Sequence, residues 1–427
     1  MEPFVVSAPG KVIIFGEHLA VYSKPAIAAA LDLRCYLLVT PLADPDVIRL
    51  EFADIDLVHQ WAKHTLPWDK IAPFVEKDDH GRPKPTKELV PEIQAILSQM
   101  LGDMDLNLHF IACHCFLYMY CQLANPELPG LTFQIRSTLP IGAGLGSLAL
   151  TAVCMALAFA VLGGHVSKAS LKTTDKATQE SDEAEYINDW SFVGEMCFHG
   201  NPSGIDNAVA TFGGAVMFQR KTNEPSVRTA MRNFPPLKLL LTNTKVPRLT
   251  AELVAGVGRI HATYPKTALL VLDAMDSLAT EAYHIMIQPF VKAEDRQTLR
   301  ELVNINHGLL VALGVSHPSL EQIKMIGDYH KIGATKLTGA GGGGCAITLV
   351  NDDTDEDTIA KVMTEFELHG FETFETLLGG KGVGCLAYTD VDEGDRARVF
   401  SSENFSGYKT REQVQQGVGN HPNWKYW

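Results

Sequence analysis

The sequence lacks any run of about 18 uncharged apolar residues, so no membrane-crossing helix is expected. It also lacks a basic surplus. Its 36 Lys and Arg stand against 50 Asp and Glu, a formal charge of −14. That balance argues against non-specific binding to DNA, RNA or an anionic membrane surface. An anionic substrate must therefore be met by a few locally placed cations. Its eight Cys follow no framework spacing, which suits a reducing, cytoplasmic setting. No room for a signal peptide is expected, because the strand-like run Phe4 to Ala8 begins almost at once. No internal repeat is present. What remains is ordinary for a folded protein: 46% hydrophobic and 20% charged residues, in a chain of 427 residues long enough for two domains.

Apolar periodicity predicts early strands at Phe4 to Ala8, Cys35 to Thr40 and Val47 to Phe52. Helices follow at Thr86 to Gln99 and Leu106 to Leu123, then an alternating strand at Leu131 to Arg136 and an apolar helix at Ala149 to Leu162. Val166 to Glu185 starts polar and loop-rich and becomes helical toward Cys197. Strands at Val216 to Arg220 and Leu237 to Leu241 flank a charged, proline-containing junction, Lys221 to Pro236. Four helices then run from Ala251 to Tyr329. Strands return at Lys336 to Thr338, Cys345 to Val350, Glu372 to Leu378 and Val383 to Tyr388, with a helix at Asp357 to Leu368. Runs of strands and of helices, without strict alternation, indicate an α+β fold. The expected organisation is an N-terminal domain over 1–228, a C-terminal domain over 229–390 and a polar tail over 391–427, extended or partly disordered.

Four segments carry chemistry. Leu139 to Ala149 reads L-P-I-G-A-G-L-G-S-L-A, with Gly142, Gly144 and Gly146 between a strand and a helix. Such a turn brings the backbone close to a ligand, and the helix that follows aims free N–H groups at it, a recipe for holding phosphate. The spacing matches neither G-x-G-x-x-G nor a Walker loop, so alone the turn could simply join two elements. Ser7 to Tyr22 reads S-A-P-G-K-V-I-I-F-G-E-H-L-A-V-Y: a strand ends at Pro9-Gly10 and presents Lys11, and Glu17 and His18 follow a second glycine. Alone, Lys11 could equally be a solvated surface residue. Gly194 to Asn207 reads G-E-M-C-F-H-G-N-P-S-G-I-D-N. It places Glu195 on a helix that breaks at Gly200 and delivers Asp206 after a turn, as a helix N-cap or as a base acting on a hydroxyl. Lys336 to Cys345 reads K-L-T-G-A-G-G-G-G-C, whose glycines suit a loop lying flat against a ligand better than a floppy linker. Cys113, His114, Cys115 and Cys121 look like a metal cluster. On one apolar helix they point in different directions, and core packing is the better reading. Gly-rich turns with isolated Lys, Glu and Asp favour phosphoryl transfer.

Together these segments resemble the GHMP kinase superfamily, in the expected order and over nearly the whole chain to about Tyr388. Ser7 to Tyr22 looks like its first motif, Leu139 to Ala149 its second and Lys336 to Cys345 its third. S-A-P-G-K-V-I-I-F-G-E-H, H-G-N-P-S-G-I-D-N and T-N-T-K-V-P-R (Thr242 to Arg248) are similar to the eukaryotic mevalonate kinase branch. The resemblance implies a two-domain fold, S5-like and then ferredoxin-like, with the active site in the cleft. It implies transfer of the ATP γ-phosphate to the 5-hydroxyl of mevalonate in isoprenoid and sterol synthesis. By position Asp206 is the catalytic carboxylate, Lys11 its paired lysine and Thr250 a threonine near it. Pro140, Gly142, Ala143, Gly144, Leu145, Gly146 and Ser147 would hold the nucleotide. Glu17, His18, Gly341 and Gly342 would face the substrate, and Glu195 and Ser147 would hold Mg2+. The family also implies a cytoplasmic homodimer inhibited by prenyl diphosphates.

One position departs from the family. The second motif normally ends G-L-G-S-S-A, and its second serine shares the magnesium with the glutamate. Here Leu148 stands there, with no oxygen for a hard cation. Three arrangements are compatible with it: Ser147 takes the ligand role, Glu195 with ATP oxygens and water suffices, or activity is reduced or lost. The alternatives to a mevalonate-specific enzyme are another small-alcohol kinase of the superfamily, such as a phosphomevalonate kinase, and a catalytically impaired nucleotide-binding regulator.

Overall fold

The structure is a computed structural model that describes residues 1–102, 104, 106–140, 147–167, 181–200, 202–221, 226–231, 234, 236–247 and 249–427, without the side chains of Ser147, Leu148 and His199. The strands are β1 (Phe4–Phe15), β2 (Pro25–Pro41), β3 (Val47–Phe52), β4 (Leu57–Ala62), β5 (Leu131–Ser137), β6 (Ala215–Gln219), β7 (Val227–Ala230), β8 (Leu237–Asn243), β9 (Gly333–Leu337), β10 (Cys345–Val350), β11 (Glu372–Leu378), β12 (Gly384–Ala387) and β13 (Lys425–Tyr426). The helices are α1 (Trp68–Ile71), α2 (Pro91–Leu101), α3 (Asn107–Leu123), α4 (Ser147–Leu162), α5 (Asp182–His199), α6 (Ile205–Phe212), α7 (Thr250–Thr263), α8 (Pro265–Met286), α9 (Ala293–Ala312), α10 (Pro318–His330), α11 (Glu356–Leu368), α12 (Glu393–Val399), α13 (Ser402–Gly407) and α14 (Arg411–Val414).

The spine is β2. One edge pairs with β1 along most of its length. On the other edge Pro25–Ala29 pairs with β6 and Cys35–Pro41 with β5, and between them Leu31 meets Leu378 of β11. The later half has the chain order β8, helices, β9, β10, α11, β11, and its strands lie antiparallel in the order β11-β8-β10-β9. That is the split ferredoxin-like arrangement. The fold is α+β, as expected.

Side-chain alternation explains why β1 and β2 are buried on both faces. Phe4, Val6 and Ala8, with Cys35, Leu37 and Val39, join the main core with the apolar helix α4. Val5, Tyr36 and Leu38 point to the opposite face, where Val399, Phe405, Val418 and Trp424 cover them. The segment from 391 onward is therefore not an extended tail. It folds as α12, α13, α14 and β13, and β13 pairs with β12. Its helices are four to seven residues long, too short to show a period, and each buries a single residue: Val399, Phe405 and Val414.

Two further expectations change. The first strand does not end at Pro9-Gly10: β1 runs on to Phe15, with its register against β2 interrupted between Pro9 and Lys11. The early half of β2, rich in alanine, carries too little strand propensity to be read as strand. Parts of the regions expected as loop or junction, 168–180, 222–225, 232–233 and 235, lie outside the described residues.

Candidate active site

The break in β1 presents Lys11, and α6 presents Asp206 in its first turn. Lys11 Nζ lies 3.1 Å from Asp206 Oδ1. The lysine is 7% exposed, so it is not a solvated surface residue. Gly204 takes the cap position of α6, and Asp206 is thus not an N-cap. Asn207 fixes the start of α6 by donating from Nδ2 to Asn188 Oδ1 at 3.0 Å on α5.

Glu195 sits four residues before the end of α5, which stops at Gly200 as expected. A side chain at Gly194 would come within 2.6 Å of Met119 Sδ and 2.8 Å of Ala152 Cβ, so glycine lets α5 press against α3 and α4 here. Glu195 is 3% exposed, and among the described residues its Oε2 has no hydrogen-bond partner. Burial, and then the nearby charge of Asp206, push its carboxyl up to about 8, with Lys11 pulling the other way. A buried acid with an orphaned oxygen is a poor structural element. It is a good ligand for a hard cation, which supplies the missing partner. The residues present fit a divalent ion.

The phosphate-turn candidates Gly142, Ala143, Gly144, Leu145 and Gly146 lie outside the described residues. Among the described residues Pro140 follows β5, and α4 begins at Ser147.

Glu17 and His18 part company. Glu17 is closed inside the protein, where its Oε1 accepts from Lys336 Nζ and its Oε2 from Asn306 Nδ2 at 3.0 Å. His18 is half-buried, holds a left-handed backbone (φ 65°), and its Nε2 meets Ala340 O at 3.0 Å. The glycines of the third motif answer first to the protein. Gly341 has φ +82°, and a Cβ there would come within 1.9 Å of Val315 O. Gly342 donates its N–H to Val315 O at 2.8 Å and lines a cleft of about 470 Å³ with Leu249, Leu253, Val257 and Leu313. Thr250 opens α7 and is exposed; among the described residues no hydrogen bond joins it to Lys11 or Asp206.

Sequence reasoning passed over Lys336, Asn306, Asn188 and Asn207. Lys336 carried a signal: a lysine between Thr335 and Leu337 in a buried strand needs a partner. The Asn side chains carried none, since their partners are distant in sequence. The four residues Cys113, His114, Cys115 and Cys121 are buried in α3, and among the described residues no cluster of three or more His, Cys, Asp or Glu could hold a metal by itself. Nor is any helix of the described residues long and apolar enough to cross a membrane.

The two halves and this cleft chemistry define a GHMP-type kinase. The family model for the GHMP kinase N-terminal domain matches residues 109–214 and the C-terminal model residues 287–367. The mevalonate kinase of Candida albicans is 56% identical over 100% of this chain and 99% of its own length. That of Saccharomyces cerevisiae is 39% identical over 96% of each, and that of Homo sapiens 35% over 92% of this chain and 97% of its own. The crystal structure of L. major mevalonate kinase in complex with R-mevalonate superposes with a TM-score of 0.62 at 23% identity, covering 88% of this chain and 96% of that one. The chain belongs to the mevalonate kinase family. It is an enzyme, a kinase with ATP as co-substrate. The alternative small-alcohol kinases are not favoured, since curated relatives at 39–56% identity over nearly the whole chain are mevalonate kinases.

Proposed function

We propose that this chain phosphorylates the 5-hydroxyl of (R)-mevalonate with ATP, giving 5-phosphomevalonate for isoprenoid and sterol synthesis. The observation that carries this reading is the Lys11–Asp206 pair, 3.1 Å apart, beside the orphaned carboxyl of Glu195. The alkoxide-forming oxygen attacks the γ-phosphorus, its proton passes to Asp206, and the β–γ bridging oxygen leaves with ADP. Lys11 holds Asp206 in an ion pair at 3.1 Å and stabilises charge forming on the hydroxyl oxygen. The turn Pro140 to Ser147 holds the triphosphate against the start of α4. Glu195, with Ser147, would hold Mg2+, which supplies charge neutralisation on the phosphate oxygens when bound. Leu148 contributes no ligand there, so the reading is of a working enzyme with weakened magnesium binding. His18, Gly341 and Gly342 line the substrate side and Thr250 lies near the reacting groups, as the family resemblance implies. The same resemblance supports a cytoplasmic homodimer inhibited by prenyl diphosphates that compete with ATP.

A substrate panel tests the reading. Purified chain with Mg2+ and ATP should release ADP with mevalonate and not with phosphomevalonate or galactose. Nucleotide binding with no turnover on any of the three supports the regulator instead.

A further inference from the structure

Glu17 and Lys336 form an ion pair with both side chains fully closed from solvent, one from the loop after β1 and one from β9 of the ferredoxin-like half. Asn306 on α9 donates to the second carboxylate oxygen at 3.0 Å, so both oxygens of the closed-off Glu17 are already engaged within the protein. Among the described residues Asn306 Oδ1 itself has no partner. The contact continues on both sides. Thr338 Oγ1 donates to Ile13 O at 2.8 Å, and His18 Nε2 meets Ala340 O at 3.0 Å. Residues 13–18 are thus stitched to residues 336–340. Ile13 lies two residues beyond Lys11, whose amine is held at Asp206.

A buried ion pair is a poor choice where only stability is needed, because apolar residues of similar size serve as well. Its strength is directional: charge and hydrogen bonds together select one register. Here the register fixed is that of the glycine loop 339–344 relative to the strand carrying Lys11. We propose that Lys336 and Asn306 are positioning residues, which hold Glu17 in this seam and so place the glycine loop opposite the Lys11–Asp206 pair for the acceptor alcohol. The inference rests on the kinase reading above and assigns Glu17 to the seam instead of to the substrate.

The variants are Asn306→Leu and the charge-free double variant Glu17→Gln/Lys336→Met. The double variant leaves no lone buried charge and so stays testable where Lys336→Met alone fails to fold. The expected result is a KM for mevalonate raised about tenfold or more, a KM for ATP within about twofold, and faster amide hydrogen exchange at 13–18 and 339–344. Native exchange at both segments in folded variants overturns the proposal, as does an equal rise of both KM values. Absence of mevalonate turnover in the native chain would refute the functional reading instead, and the exchange measurement would still decide the seam.

Discussion

Lys11 and Asp206 are unequal partners: the lysine side chain is 8% exposed and the aspartate side chain 25%. The carboxylate is the member that a hydroxyl can reach, and the ammonium stands behind it. Asp206→Asn should therefore lower kcat by about 10² to 10⁴, the usual worth of a positioned base. Lys11→Met should lower it by about 10² to 10³. Steady-state ADP release measures both, with thermal midpoints to show that the variants fold.

Glu195 should report magnesium. Its Oε2 is buried without a partner among the described residues, so Mg2+ with a non-hydrolysable ATP analogue should raise the thermal midpoint of the native chain. Glu195→Gln should lose most of that rise and need about tenfold more magnesium for half-maximal rate. Differential scanning fluorimetry and a magnesium titration of the rate check it.

Leu148→Ser adds an oxygen where the family's second motif carries one. Turnover should rise several-fold, most at low magnesium, and converge toward the native rate as magnesium saturates. A rate unchanged at every magnesium concentration would mean that Glu195, nucleotide and water already suffice.

His307 should make stability acid-sensitive. It is 3% exposed, its Nδ1 accepts the Leu337 N–H at 3.2 Å, and its Nε2 therefore carries the proton that goes to Glu321 Oε1 at 3.1 Å. Burial holds the imidazole below the ordinary histidine range, partly offset by Glu321. The unfolded chain thus takes up the proton first as pH falls. The stabilisation is present above about pH 6.5 and is lost as pH drops through the depressed value. Thermal midpoints from pH 7.5 to 5 should fall more steeply in the native chain than in His307→Phe.

Trp424 anchors the closing segment. It is 4% exposed, packs with Tyr36, and donates from Nε1 to Val418 O at 2.9 Å. Trp424→Ala should cost about 3–5 kcal/mol in denaturant unfolding, the usual worth of a buried tryptophan. An effect below about 1 kcal/mol would show that the segment adds little to the fold.

Most elements with a clear period were legible. Leu131 to Arg136 alternates, and β5 lies there; the four central helices fall within a few residues of their expected bounds. What escaped depends on partners far away in the chain. The alanines of β2 become strand only because β1 and β6 pair with them. The closing segment looks featureless because its order comes from single large residues seated on the back of β1 and β2. In the site, Lys11, Glu195 and Asp206 could be singled out, since each follows a turn or sits at a helix end. Motif spacing points Glu17 toward substrate because it cannot reveal Lys336 and Asn306, which meet it from across the fold. The glycines of 339–344 suggest, from sequence alone, room for a ligand. Gly341 is required by Val315 whatever binds.

The most direct measurement is ADP release by the purified chain with ATP and magnesium, with and without (R)-mevalonate, for the native protein and for Asp206→Asn. Release that saturates with mevalonate at one ADP per mevalonate consumed, and that drops by about 10² or more in the variant, is the expected result. Release indifferent to mevalonate, or an Asp206→Asn variant with native turnover, would contradict the assignment of Lys11 and Asp206 to phosphoryl transfer.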